Sequence, residues 1–185
     1  YEKENITSWQ EFIQTNNKVS IVLPNLENIL TIIYTSGTTG IPKGVVHTYG
    51  SIINAVEAAS DVVMLKQPGN RFLSYLPLSH AAERGVVDFG AIYSGGTISF
   101  VESPDTFAKT LQEVEPTHFF GVPRIWDKFQ AKILDEVPQF MLNILLNIPV
   151  VSGLIRKKIA KSLGLNKALF ILTGAAPVPQ RLLLW

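Results

Sequence analysis

The chain has 185 residues, 46% of them apolar and 17% charged, with a formal net charge of +1. Such a composition buries enough surface to offset the ordering entropy, which excludes a disordered chain, and a charge this close to zero offers no field for a nucleic-acid backbone. Cysteine is absent, so disulfides, thiolate metal sites and a Cys nucleophile are excluded, in keeping with a cytoplasmic protein.

The opening Tyr1-Glu2-Lys3-Glu4 has no basic n-region followed by an apolar stretch, so no signal peptide is read there. It also lacks an initiator Met, and the chain is expected to begin inside a longer gene product. Residues 1 to about 28 are polar and mixed, with one short helix expected over Ser8 to Gln14. Leu30 to Thr35 is β-branched and aromatic and reads as a buried strand, and a Gly/Thr-rich turn follows over Ser36 to Gly44. Ser51 to Leu65 has near-helical apolar spacing.

Downstream, Phe72 to Leu76 reads as a strand ended by Pro77, and Ala81 to Tyr93 as a helix stopped by Gly95-Gly96. Thr97 to Val101 is a strand, Thr106 to Val114 a helix, and Thr117 to Gly121 a strand. Pro123 stands at a first helical position before Arg124 to Glu136. Leu169 to Leu172 is a last strand, and Pro179 opens a final helix. Strand and helix alternate at spacings that suit βαβ crossovers, so the class is α/β with a largely parallel sheet flanked by helices.

Phe140 to Ile155 is mostly apolar and is followed by Arg156, Lys157 and Lys158. A spanning helix needs about 20 apolar residues, and Asn143, Asn147, Pro149 and Gly153 interrupt this run. It reads as a buried helix broken at Pro149 and followed by a second. The trailing basic cluster keeps a surface-lying membrane contact as the alternative.

The densest chemical signal is Tyr34-Thr35-Ser36-Gly37-Thr38-Thr39-Gly40-Ile41-Pro42-Lys43-Gly44. Gly37, Gly40 and Gly44 let backbone N–H groups approach oxygens closely. Thr35, Ser36, Thr38 and Thr39 add hydroxyl donors, and Lys43 brings a point charge. These are the parts a triphosphate needs. The run is not a Walker A loop: Pro42 stands at its second Gly position and Gly44 replaces its Ser/Thr. With no Walker B Asp closing a strand either, a GTPase or kinase reading loses support.

This run resembles the signature loop of the adenylate-forming superfamily. The resemblance implies that Thr35, Ser36, Gly37, Thr38, Thr39, Gly40 and Lys43 grip the β- and γ-phosphates of ATP, with the Thr35 hydroxyl also helping to hold Mg²⁺. Many members have a His four to five residues after Gly44-Val45, where this chain has Tyr49, with His47 two earlier.

Leu73 to Arg84 resembles the family's second core motif, and its His80-Ala81-Ala82-Glu83-Arg84 ending is similar to the long-chain fatty acyl-CoA synthetase branch. The resemblance puts the catalytic candidate His80 near the acyl carboxylate and adenylate. Glu83 and Arg84 receive no catalytic role; they read as a solvated pair, or Glu83 as a helix cap near Ser79. Gly121 to Trp126 resembles the segment that carries a gating Trp across a fatty-acid tunnel, with Trp126 in that place and His118 structural. Thr173 to Pro177 resembles the loop that packs on adenine and the acyl tail, so Gly174, Ala175, Ala176 and Pro177 are cofactor-binding candidates. Many members have Gly-Gly before Ala-Pro there, a modest departure.

The resemblance therefore implies that residues 1–185 are a partial AMP-binding domain. The Tyr-Gly-x-Thr-Glu segment, the ribose-binding Asp, the hinge and the small C-terminal domain with its catalytic Lys have no counterpart in the chain. The parent is expected to join a fatty acid to CoA with ATP, in the cytoplasm with a peripheral membrane contact and as a homodimer, and the 185-residue chain alone is expected to be inactive. Alternatives are a non-catalytic nucleotide- or acyl-binding module, and within the family a ligase for acyl carrier protein or aryl acids.

Overall fold

The protein is described by a computed structural model that covers residues 8–14, 22–35 and 41–185. Helix α1 (Trp9–Gln14) starts at Ser8, whose backbone N–H and hydroxyl both donate to Glu11 at 3.0 Å. Strands β1 (Ile29–Thr35) and β2 (Lys43–Thr48) form an antiparallel hairpin. Helix α2 (Tyr49–Ser60) follows at once, closed by a reciprocal cap between Thr48 and Ser51, which satisfies orphan donors at its start.

The second sheet is parallel and four-stranded: β3 (Arg71–Ser74), β4 (Thr97–Phe100), β5 (His118–Gly121) and β6 (Phe170–Thr173) lie in the order β4-β3-β5-β6. Between β3 and β4 run a π-helical turn over Glu83–Asp88 and helix α3 (Phe89–Ser94), which ends on Gly95 at φ 61. Helix α4 (Phe107–Val114) leads to β5. Helices α5 (Pro123–Glu136), α6 (Gln139–Asn147) and α7 (Pro149–Leu163) lead to β6, and α8 (Gln180–Leu184) comes last.

Side chains alternate across a strand, and the two faces of the sheet gather separate cores. Phe72 stacks on His118 at 4.9 Å and packs with Leu65, Val87 and Ala91. On the other face Leu73 and Phe119 pack with Leu111, Phe129 and Leu165. Gly164 ends α7 at φ 77, and a Cβ there would come within 2.6 Å of the Gln112 Cα, so α4 and α7 approach at a point only glycine allows.

Four expectations are corrected. The turn expected over Ser36 to Gly44 overlaps a strand: Lys43 and Gly44 open β2, which runs on through Val45, Val46 and Thr48, residues a strand favours. β1 is not a buried strand of the parallel sheet: only Ile33 is buried along it, because a two-stranded ribbon has one neighbour and little cover. The helix expected over Ser51 to Leu65 is shorter at its C-terminal end: α2 stops at Ser60 and turns follow. Residues 139–163 do break at Pro149, yet the pair is far from buried: Phe140, Ile144, Val150 and Leu154 all face outward. No helix among the described residues is long and apolar enough to cross a membrane.

Candidate functional site

The glycine-and-hydroxyl loop is carried by the β1–β2 hairpin. Thr35 and Lys43 are Cα partners in the last pair before the connecting loop, so the strand register sets the two residues opposite each other. Both are exposed, and Lys43 has no hydrogen bond or ion pair among the described residues. Ser36, Gly37, Thr38, Thr39 and Gly40, the other expected phosphate ligands, lie outside the described residues.

The remaining candidates follow the C-terminal ends of three adjacent parallel strands, the edge at which open α/β sheets bind ligands. His80 follows β3, Trp126 follows β5, and Gly174, Ala175, Ala176 and Pro177 follow β6. Gly121 and Thr173 are Cα partners, which brings the last two segments side by side. A residue the sequence reading missed ties the edge together: the Tyr75 hydroxyl donates to the Phe120 carbonyl at 2.9 Å and accepts from the Val122 N–H at 3.1 Å. Burial pushes its phenol up to about 12, so it keeps the proton it donates.

His80 is half-buried, and its Nδ1 accepts from the Ala82 N–H at 3.2 Å. In the neutral ring the proton then sits on Nε2. Ala175 adopts φ 65, a conformation that favours glycine. That is the position at which the resemblance notes a second Gly in many members, and Ala175 holds its glycine-like backbone at some local strain.

Trp126 packs edge-on to Phe119 and Phe129 at 5.7 and 5.6 Å, and its Nε1–H donates to the Gly121 carbonyl at 2.9 Å. A Cβ at Gly121 would fall 2.6 Å from the indole, so the missing side chain is what lets the ring lie against the strand. His118 is structural in its contacts. Its Nε2 meets the Val63 carbonyl at 2.7 Å, which can only accept, so Nε2 carries the proton and Nδ1 accepts from Thr117 at 2.9 Å. Burial lowers its pKa.

On the Phe72 and His118 face lies an apolar cavity of about 240 Å³. Val56 of α2, Val86 of the π turn, Phe89 of α3 and Phe170 and Leu172 of β6 help wall it. Trp126 does not line the cavity itself, but its neighbour Phe119 does. No single run of sequence announces the cavity, because its wall is drawn from three strands, two helices, the π turn and the segment around Val63 and Leu65.

Glu83 and Arg84 are not a solvated pair, and Glu83 does not cap a helix at Ser79. Glu83 is 0% exposed. One carboxyl oxygen accepts from the Leu76 N–H at 3.4 Å, and the other has no partner among the described residues. Burial raises its pKa, opposed by bonds from Ser74 and Leu76. Arg84 reaches outward to the hairpin, its Nη2 donating to the Thr31 hydroxyl at 2.9 Å. The π turn, a distortion common near functional sites, sends these consecutive side chains to different neighbours.

The family model described as AMP-binding enzyme matches residues 1–185. The chain is 33% identical over 215 residues to a long-chain-fatty-acid–CoA ligase of Rattus norvegicus, covering 95% of this chain and 32% of the relative. Against the fatty acyl-CoA synthetase A of Dictyostelium discoideum the identity is 32%, covering 93% of the chain and 28% of the relative. Among solved structures, the A domain of a carboxylic acid reductase from Segniliparus rugosus, in complex with AMP and a co-purified carboxylic acid, superposes with a TM-score of 0.58 at 26% identity, over 88% of this chain and 26% of that one. The chain thus spans about a third of the length of the curated relatives it matches. With its parallel sheet flanked by helices and a family match along its whole length, the chain belongs to the AMP-binding enzyme family.

Proposed function

We propose that this chain is the phosphate-gripping part of a long-chain fatty acid–CoA ligase. The carrying observation is the hairpin register that sets exposed Lys43 opposite Thr35 at the mouth of the loop. In this reading Thr35, Ser36, Gly37, Thr38, Thr39, Gly40 and Lys43 hold the β- and γ-phosphates of ATP, and Lys43 offsets the charge that builds on the departing pyrophosphate. The fatty carboxylate attacks the α-phosphorus, pyrophosphate leaves, and the CoA thiol then attacks the acyl-adenylate and releases AMP. His80 lies near the carboxylate, with its Nε2–H available as a donor. Gly174, Ala175, Ala176 and Pro177 offer small side chains to the flat adenine, and Trp126 gates the acyl path.

Mg²⁺ suits this loop. The Thr35 hydroxyl is a hard oxygen donor of the kind Mg²⁺ takes, and phosphate oxygens and water complete such a shell. Among the described residues no cluster of three acids or histidines stands ready to hold a metal by itself. The ion, when bound, supplies charge neutralisation on the phosphates.

The acyl part of the proposal is supported by the cavity beside the π turn, whose walls are nearly all apolar. An aryl-acid or carrier-protein ligase, or a binding module without turnover, is the competing reading. Membrane contact belongs to the proposal too, through α6 and α7. Residues 139–163 hold no acid and carry Arg156, Lys157, Lys158 and Lys161, so the exposed apolar residues there come with cations that suit anionic lipid. Homodimerisation remains a proposal of the resemblance alone.

One experiment tests these points together. The natural protein carrying this chain is given ATP, CoA and saturated fatty acids of rising length or benzoate, with and without anionic vesicles. Long-chain acyl-CoA and co-sedimentation with the vesicles are expected. A preference for benzoate overturns the substrate class, and protein left in the supernatant overturns the membrane contact. The 185-residue chain alone is expected to form no acyl-CoA, and turnover by it would contradict the division of labour proposed.

A further inference from the structure

We propose that Arg84 is a positioning residue that couples the nucleotide and acyl sites, holding the phosphate-bearing hairpin in register with the turn that walls the apolar cavity. The inference rests on the functional reading above and goes beyond it, since neither substrate is assigned to Arg84. Three contacts converge on this one guanidinium. Its Nη2 donates to the Thr31 hydroxyl at 2.9 Å, Nη1 lies 3.6 Å from the Asp88 carboxylate, and Cζ sits 5.5 Å over the Phe89 ring. Thr31 is four residues before Thr35 on the same strand. Phe89 lines the cavity. A planar fork of donors that also stacks on a ring can serve all three at once, which an ammonium cannot.

The hairpin has few other ties. Tyr49 and Gly50 donate backbone bonds to Asn28 and Leu26 at 3.0 and 2.8 Å, which fixes its base against α2. Among the described residues, the Arg84 bond is the one side-chain hydrogen bond that reaches β1 from another element. A two-stranded ribbon is marginal on its own, so a bond partway along it bears on where its loop points. The neighbouring Glu83 fixes the other side of the same turn, through Leu76 two residues after β3. The Arg84 N–H, finally, donates to the His80 carbonyl at 3.1 Å. An acyl tail that fills the cavity presses on Phe89 and the π turn, and Arg84 carries that displacement to Thr31.

The test is a binding-linkage measurement on the natural protein that carries this chain, with α,β-methylene-ATP and hexadecanoate as probes. Coupling is reciprocal, so each probe is expected to raise the affinity of the other by the same factor, about 5-fold or more. In Arg84→Met the factor falls towards one, while each probe alone binds within about 3-fold of its wild-type affinity. Thr31→Val, a mild change on an exposed ribbon, does the same and keeps the test alive if Arg84→Met fails to fold. The double variant adds nothing further, because both changes break one bond. Arg84→Lys, which keeps the charge near Asp88 but not the fork, recovers only part of the factor. Coupling that survives in Arg84→Met and Thr31→Val, or that is absent from the wild type, overturns the inference alone. Failure of α,β-methylene-ATP to bind the wild type at all overturns the functional reading beneath it as well.

Discussion

The β1–β2 hairpin and the β4-β3-β5-β6 sheet are built from similar β-branched and aromatic runs, yet they spend them differently. In the sheet Phe72, Leu73, Phe119 and the helical Leu111 are all at most 2% exposed. In the hairpin Ile32, Tyr34, Val45 and Val46 face outward, and Ile33 alone is buried. The sheet is the part that stability depends on. The hairpin is the part that presents Thr35 and Lys43, and what it lacks in burial it recovers through the α2 cap at Thr48 and the Arg84 bond to Thr31. Proposed chemistry thus hangs on the less buried of the two regions, which is the usual place for it.

Truncation probes that contrast most strongly. Phe119→Ala should cost about 3–5 kcal/mol, the range for emptying an aromatic core site. Val46→Ala on the hairpin should cost under about 1 kcal/mol, as expected where little packing is lost. Chemical denaturation of the natural protein checks both. Equal costs would mean that the hairpin is packed as tightly as the sheet, and the comparison would fail.

A smaller effect concerns pH, and the two buried titrating groups pull in opposite directions. His118 has its pKa lowered by burial, so the unfolded chain binds its proton more readily. Its contribution to stability is full above the ordinary value near 6.5 and is lost as pH falls below it. Glu83 has its pKa raised by burial, so its contribution is full below the ordinary value of 4.5 and is lost as pH rises through the raised folded value. Glu83→Gln, which is neutral at every pH, should therefore gain stability relative to wild type at pH 7 and lose that gain on acidification. A gain that is flat with pH would mean that folding leaves the Glu83 pKa unshifted, and a loss of stability at pH 7 that fades on acidification would mean that Glu83 is ionised and paired in the folded protein.

Much of the sheet was legible because each of its strands is a short apolar run bounded by Gly, Pro or a helical pattern, as at Phe72 to Pro77. The break at Pro149 and the helix start at Pro123 follow from a missing N–H and a fixed φ, which are properties of the residue itself. Burial was less legible. A run such as Leu30 to Thr35 has the same composition whether it is covered on both faces or on neither, since cover is supplied by elements remote in sequence. β2 was hidden by the Pro42 and Gly44 punctuation around Lys43. The fates of Glu83 and Arg84 could not be read from a charge pattern, because a π turn, rather than an α-helix, decides where each points. For the proposed site, residue types and order were readable, while the convergence on one sheet edge, the Tyr75 tie and the cavity came only with the fold.

The central claim is that Lys43, opposite Thr35, meets the tail phosphates of ATP. The most direct measurement is ATP–pyrophosphate exchange driven by hexadecanoate in the natural protein and its Lys43→Met variant, with denaturation curves alongside. Because Lys43 is exposed, stability should stay within about 0.5 kcal/mol, while exchange falls about 100-fold or more, the scale of losing one transition-state donor. Wild-type exchange rates in a folded Lys43→Met protein would contradict the account.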